Sequence, residues 1–174
     1  MNSKKLGTWI AFLCLMIALV GCSGYRLGNI GGTEIQGVRT IYVPVVKNEG
    51  YEPGLQVMTT NAIIRRFEND GTLQTVKTTE ADSELSVTIK KVVKTGTRVD
   101  RNNVLRTAEY DIEIIAEATY TNRRLGRKIF ENREVRGKTS VYVQNDLQEG
   151  ERQSLPMAAE DLANNIVKLI VEGW

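Results

Sequence analysis

The chain has 174 residues, 23 of them basic and 21 acidic, and a formal charge of +2. This length is enough for one domain with a substantial core. Histidine is absent, which excludes histidine-based acid–base catalysis and most zinc sites. The nearly neutral charge disfavours nucleic acid as a partner. No nucleophile elbow, P-loop or His-Glu-x-x-His motif occurs. We therefore expect that the protein is not an enzyme and holds no cofactor or metal. A hydrolase that uses a pair of carboxylates stays a distant alternative, because sequence alone cannot locate such a pair.

Residues 1–21 have the three parts of a bacterial signal peptide. Lys4 and Lys5 precede an apolar run over residues 9–20, and the small residue Gly21 ends it. That run is too short to span a bilayer as a helix. Residues 19–22, Leu-Val-Gly-Cys, resemble the lipobox of bacterial lipoproteins. The resemblance implies a mature chain that begins at Cys22, with a diacylglycerol on its sulfur and a palmitate-type acyl chain on its amine.

Ser23 after the lipidated cysteine is similar to the pattern sorted to the outer membrane, which predicts anchoring on its periplasmic side. The alternative is an ordinary secretory signal followed by a chance cysteine. Removal of Cys14 with the signal and acylation of Cys22 would leave no thiol for a disulfide. Because Lys4 and Lys5 would leave with the signal, the mature chain would have equal numbers of basic and acidic residues.

Residues 22–37 contain five glycines, which predicts a flexible leash between lipid and domain. A phosphate-binding glycine loop would need a strand before it and a helix after it, and neither pattern is present.

The remaining residues, 38–174, are predicted to form a single domain. Residues 38–46 are β-branched and indicate a strand, with Pro44 at its end or on a sheet edge. A helix is expected from Pro53 to Asn69, and Gly71 follows it. One face of this helix is apolar and should meet the core: Leu55, Met58, Ala62, Ile63 and Phe67. Residues 73–78 form a possible short strand whose place in the sheet stays open.

Two strong strands, 84–94 and 108–120, alternate between apolar and polar residues. Such alternation is typical of a sheet with one face in water. The polar side of 108–120 is acidic and is interrupted only by Ile115. A turn at 122–127 leads to a last strand, 128–143, whose poorer alternation predicts a bulge. Its outward cations should pair with the acidic strand beside it: Arg133, Arg136 and Lys138.

A polar loop is expected at 144–153, and Ser154 is predicted to cap a final helix over 155–171, with Gly173 beyond its end. The order of elements indicates an α/β (α+β) two-layer sandwich. Two helices should pack on one face of a mostly antiparallel sheet of four to five strands.

Several short motifs, in this order, resemble the LptE family of lipopolysaccharide-assembly lipoproteins. They are Gly-Tyr-Arg-Leu-Gly at 24–28, Val43-Pro44, Asn48, Pro-Gly-Leu at 53–55, Ala81-Asp82, and Arg-Thr-Ala-Glu-Tyr at 106–110. The resemblance implies a protein that plugs the large outer-membrane barrel LptD, helps that barrel assemble, and contacts lipopolysaccharide without any catalysis. The alternative is a structural or adaptor lipoprotein of the envelope, such as a pilotin-like chaperone of a secretion pore.

Two basic clusters are candidates for binding the phosphates of the glycolipid. The first cluster leads into strand 108–120, beside the family's lipopolysaccharide-contacting loop: Lys94, Arg98, Arg101 and Arg106. The second, less favoured cluster leaves that strand: Arg123, Arg124, Arg127 and Lys128. In an antiparallel meander the clusters lie roughly 40 Å apart, so they cannot bind the same head group. Either cluster could instead be a solvated turn, and contact with the barrel is an equal alternative for the second.

Overall fold

The computed structural model describes residues 37–99, 107–142 and 147–173. The predicted signal peptide, the predicted lipidation site at Cys22 and the predicted leash up to residue 36 lie outside these residues. In chain order, the elements are β1 (Thr40–Tyr42), β2 (Lys47–Asn48), α1 (Leu55–Asp70), β3 (Gln74–Thr75), β4 (Ser83–Val99), β5 (Thr107–Asn122), β6 (Arg127–Tyr142) and α2 (Leu147–Glu172).

The sheet has the strand order β3-β1-β4-β5-β6, and β2 also pairs with β4. The long strands β4, β5 and β6 pair antiparallel, as predicted. The short strands β1, β2 and β3 add parallel pairs at the other edge. The count is six rather than the expected four to five. The first predicted strand, 38–46, is shortened to β1, and β2 begins just beyond its expected end. Segment 73–78 does contribute a strand, β3.

Helix α1 confirms the first predicted helix and its apolar face. Leu55, Ile63 and Phe67 are almost fully buried. The helix ends at Gly71, which adopts a positive φ of 74° and donates its N–H to the Phe67 carbonyl at 2.9 Å. Glycine reaches this left-handed conformation without a Cβ clash, so it terminates the helix efficiently.

Helix α2 begins earlier than predicted. It starts at Leu147 rather than 155, so the expected loop is wrong from residue 147 onwards and Ser154 is not the N-cap. The Ser154 hydroxyl instead donates to the Gly150 carbonyl at 2.7 Å, a bond made inside a helix. Ser154 followed closely by Pro156 resembles a helix start. Here Pro156 lies within the helix, where its missing N–H removes one backbone hydrogen bond.

Both helices cover one face of the sheet, which gives the predicted two layers. Their buried residues join the inward side chains of β4, β5 and β6 in one core. Helix α2 approaches β6 most closely at Gly137. A Cβ added there would lie 2.5 Å from the backbone nitrogen and from the Cβ of Leu162. Glycine at this position therefore allows the helix to contact the strand backbone directly.

The predicted bulge in β6 is confirmed, and there are two register shifts, between Ala118 and Tyr120 and between Tyr120 and Thr121. Asn132 lies at the first of them with a φ of 48°. After the shift, Arg133 pairs with the core residue Ala118. The prediction that Arg133 faces outward is therefore wrong. No register shift separates Arg133 from Arg136, so regular alternation over three residues places Arg133 on the helix-covered side of the sheet, opposite to Arg136.

Candidate partner-binding surfaces

The open face of the sheet, opposite the helices, carries a ladder of paired charges. On β5, Glu113 contacts two cations of β6, Lys138 at 3.1 Å and Arg136 at 3.3 Å. On the other side, Lys90 of β4 lies 3.7 Å from Glu117 and 2.6 Å from Glu49. The predicted cross-strand pairing is thus confirmed for Arg136 and Lys138. This open face is polar, and its charges largely compensate one another.

Glu113 is the most enclosed carboxylate of the ladder, with a side chain 19% exposed. The hydrogen bond from Lys138, followed by that from Arg136, lowers its pKa, while burial opposes this shift. Arg136 also contacts Glu134 at 2.6 Å, and this carboxylate, ahead of Glu113, raises the pKa of the guanidinium. Glu113 and Arg136 therefore stay charged across the neutral range.

Ile115 is an apolar residue at the centre of the open face. It lies in register between Lys91 of β4 and Arg136 of β6, and only 7% of its surface is exposed. Long basic side chains can cover apolar surface with their methylene groups while the charge stays in water. Ile115, which interrupts the polar alternation of β5, therefore forms a small apolar contact beneath these charged side chains.

The first basic cluster falls largely outside the described residues. Lys94 lies on β4 and forms an ion pair with Glu52 at 2.9 Å, next to the start of α1. The backbone of Arg98 belongs to β4, but its side chain is not described, and Arg101 and Arg106 lie in the undescribed connection. Their role in binding lipopolysaccharide stays a prediction.

The second basic cluster is built partly into the fold. Arg123 contacts Glu84 at 2.8 Å, donates to the Thr78 carbonyl, and lies 5.7 Å from the Tyr42 ring centroid. Arg124 donates to the Gly37 carbonyl at 2.6 Å. These contacts connect the β5–β6 turn to the neighbouring chain segments.

The other two members of the second cluster differ from each other. Lys128 is paired with Glu131, whereas Arg127 is exposed and has no ion pair among the described residues. Lys94 and the second cluster lie towards opposite ends of β4 and β5, since Lys94 pairs with Ile112 and Ser83 with Asn122. Because Lys94 is the one member of the first cluster whose side chain is described, the expectation that the two clusters cannot share a head group stays a prediction.

Asp82 and Asn48 are motif residues to which the sequence assigned no role. The Asp82 carboxylate accepts the backbone N–H groups of Arg39 at 3.0 Å and Thr40 at 3.2 Å. The Arg39 hydrogen bond is the main reason why the pKa of Asp82 is lowered. Asn48 donates to the Glu52 carbonyl at 2.8 Å and accepts the Gly50 N–H at 3.0 Å. Both side chains hold the fold: Asp82 fixes β1 beside β4, and Asn48 shapes the loop before α1.

Neither a membrane-spanning helix nor a metal site is found in the described part of the chain. None of its helices is long and apolar enough to cross a bilayer. Within the same residues, no group of three or more acidic or cysteine side chains could hold a metal ion.

Comparisons with known proteins agree with this architecture. A hypothetical protein from Chlamydia trachomatis is 12% identical, with a TM-score of 0.55 over 79% of this chain and 99% of that one. A protein from Xanthomonas campestris is 10% identical, with a TM-score of 0.52 over 78% and 85%. A minor lipoprotein from Acinetobacter baumannii is 14% identical, with a TM-score of 0.50 over 77% and 94%. At these identities the structures establish the fold alone. A search of the curated proteins finds no match.

Residues 38–170 match the family model described as LptE, lipopolysaccharide-assembly. The match covers nearly the whole predicted domain, including all six strands and most of α2. The resemblance seen in the short motifs is thereby confirmed, and the chain belongs to the LptE family of lipopolysaccharide-assembly proteins.

Proposed function

We propose that this protein is a lipoprotein of the outer membrane that assembles with an LptD-type barrel, plugs it, and assists lipopolysaccharide transport to the cell surface. The family match over residues 38–170 carries the proposal. The protein acts by binding, without catalysis.

The open face of the sheet is the surface proposed to meet the barrel. Large outer-membrane barrels enclose a polar interior. The ladder around Glu113, Lys138 and Lys90 offers such an interior many hydrogen-bonding groups, and its charges are already compensated. A compensated surface avoids burying an isolated charge, which would destabilise the complex.

Lipopolysaccharide is proposed to bind at the first basic cluster. Arginine pairs with phosphate through two parallel hydrogen bonds, and Val99, Val104 and Leu105 supply apolar neighbours for acyl chains. Lys94, the described member, already has a carboxylate partner in Glu52. The main affinity is therefore assigned to Arg98, Arg101 and Arg106. The second cluster stays a weaker alternative.

Membrane attachment is proposed to occur through lipidated Cys22 after cleavage of residues 1–21. More than one acyl chain would anchor the protein stably, whereas a single chain binds reversibly. Mass spectrometry of the N-terminal peptide from the purified protein tests this step directly.

Purification from the native membrane in mild detergent tests the partner. We expect an LptD-type barrel in about equimolar amount, because plugging needs one lipoprotein for each barrel. Recovery of a secretion-pore component without the barrel would favour the pilotin-like adaptor instead.

Lipopolysaccharide binding is tested separately with the triple variant Arg98→Gln, Arg101→Gln and Arg106→Gln. A matched control removes three cations elsewhere: Lys47→Gln, Lys91→Gln and Lys168→Gln. We expect the first variant to bind glycolipid at least about tenfold more weakly, since charge-assisted hydrogen bonds are worth roughly 1.5–3 kcal/mol each. Equal binding by both variants would remove this cluster from the proposal.

A further inference from the structure

One end of the domain combines exposed cations with an exposed leucine. Leu125, in the β5–β6 turn, is 61% exposed. We call this end the basic tip and define it by five residues: Arg39, Lys77, Arg124, Leu125 and Arg127. Contacts place them together. Arg123 reaches Thr78, Arg124 reaches Gly37, and the Arg39 carbonyl accepts the Gln74 N–H at 2.9 Å.

The cations of the basic tip have little compensation from carboxylates. In the part of the chain that the structure describes, Arg39, Lys77 and Arg127 are exposed and form no ion pair. Arg124 is 60% exposed, and its nearest carboxylate, Asp82, is 3.9 Å away. Asp82 also accepts two backbone N–H groups and stays negatively charged, so it offsets part of the charge of Arg124. Glu80 is the exposed carboxylate nearby. The tip therefore has an excess of positive charge, unlike the open face of the sheet.

The chain enters the domain at this same end. Gly37, the first described residue, is bonded to Arg124. Gly37 is fifteen positions after Cys22, so a lipid on Cys22 lies within at most about 50 Å of the tip. Lipidation at Cys22, part of the proposed function, would hold the tip close to a membrane surface.

We propose that the basic tip rests on the membrane that holds the anchor, with its cations among anionic phospholipid head groups and Leu125 at the interface. Cations near an anionic surface are attracted to it, and an adjacent apolar side chain can enter the boundary between head groups and acyl chains. Contact at the tip fixes the orientation of the domain.

A single fluorescent label tests the contact. The lipoprotein is purified, labelled with an environment-sensitive dye at Leu125→Cys, and reconstituted into vesicles of phosphatidylcholine with or without phosphatidylglycerol. The parent protein, which lacks the Leu125→Cys change, is treated with the same dye. Absence of labelling shows that no other reactive thiol remains once Cys22 is acylated. We expect a blue-shifted emission with phosphatidylglycerol and a smaller shift without it. Added salt should reverse the difference, because it screens exposed charges.

Val57→Cys is the matched control for the label. Val57 is 54% exposed, and it lies in the first turn of α1, beside the Glu52–Lys94 pair at the other end of the domain. Its label should respond equally to both kinds of vesicle.

A charge variant separates the tip from general electrostatic attraction. Arg39→Gln, Lys77→Gln and Arg127→Gln remove cations without ion-pair partners, so the fold should persist. Each substitution should weaken binding of the basic tip to phosphatidylglycerol vesicles about five-fold. The control variant with Lys47→Gln, Lys91→Gln and Lys168→Gln makes the same change in net charge away from the tip and should keep the shift.

Three results would overturn the proposal. They are an unshifted Leu125→Cys label in phosphatidylglycerol vesicles, equal shifts at Leu125→Cys and Val57→Cys, and a response to lipopolysaccharide micelles but not to phosphatidylglycerol. Flotation of the protein with vesicles reports the anchor independently of the label. A failed anchor is therefore distinguishable from a tip that does not touch the surface.

Discussion

The two faces of the sheet are held by different forces. The covered face packs apolar side chains of β4, β5 and β6 against two helices, and Ile112, Ile114 and Leu162 are fully buried there. The open face is stabilised by ion pairs whose partners are mostly a third or more exposed. Apolar burial contributes much more per residue than exposed ion pairs do. The covered face therefore determines the stability of the fold, which leaves the open face free to be shaped for a partner.

The largest expected effect comes from Gly137→Ala. The new Cβ would overlap the backbone of α2 at Leu162, so the helix must move away from β6. We expect a loss of about 3 kcal/mol or more in the free energy of unfolding, measured by urea denaturation. Arg127→Ala, on the same strand but exposed, is the control and should leave the midpoint unchanged. A stable Gly137→Ala variant would show that the close contact between helix and strand is not required.

Two adjacent isoleucines compare the faces directly. Ile114 points into the core and is 0% exposed, while Ile115 points to the open face and is 7% exposed. Ile114→Ala should destabilise the protein by about 3 kcal/mol, because a cavity remains in a packed core. Ile115→Ala should have about half that effect, because water and the side chains of Lys91 and Arg136 can fill the space. Equal losses would mean that the open face is packed like a core.

Asp82→Ala tests the connection between β1 and β4. Two backbone N–H groups would lose a charged acceptor, with an expected loss of about 2 kcal/mol. Hydrogen exchange should quicken at Arg39 and Thr40 while the centres of β5 and β6 stay protected. Glu80→Ala, which removes an exposed neighbouring carboxylate, is the control. Unchanged exchange at Arg39 would contradict the role assigned to Asp82.

The smallest expected effect is the pH dependence of Glu113. Its pKa in the folded protein lies below the ordinary value of 4.5, so the unfolded chain binds a proton first as the pH falls. The contribution of ionised Glu113 to the free energy of unfolding is therefore complete above pH 4.5. It is lost as the pH falls through the lower pKa that Glu113 has in the folded protein. Melting temperatures of the parent and of Glu113→Gln should differ at pH 7 and converge in acid. A constant difference across this range would exclude the ion pairs as its source.

Most of the covered face could be predicted from the sequence because periodicity reports burial. The alternation in β4 and β5 and the apolar stripe of α1 each appear as a regular spacing. The start of α2 could not be found in this way, since Ser154 and Pro156 resemble a helix start yet lie within the helix. Local signals of this kind are ambiguous, because serine and proline can also lie inside a helix.

The open face was harder to predict, because its details depend on register. The bulge near Asn132 decides which side the residues before it face relative to Arg133 and Arg136, and sequence spacing does not reveal the exact position of a bulge. The roles of Asp82 and Asn48 depend on backbone groups distant in sequence or on loop geometry. For the first basic cluster, the sequence identified the residues, and only Lys94 gains a described partner.

Photo-crosslinking from the open face tests the central claim most directly. A photoreactive residue replaces Glu117 on the open face or, as a control on the helix layer, Met157 of α2, which is 59% exposed. In cells, we predict that position 117 crosslinks to an LptD-type barrel and that position 157 gives a much weaker barrel crosslink. Capture of a secretion component at position 117, or no barrel crosslink from an assembled and folded protein, would contradict the account.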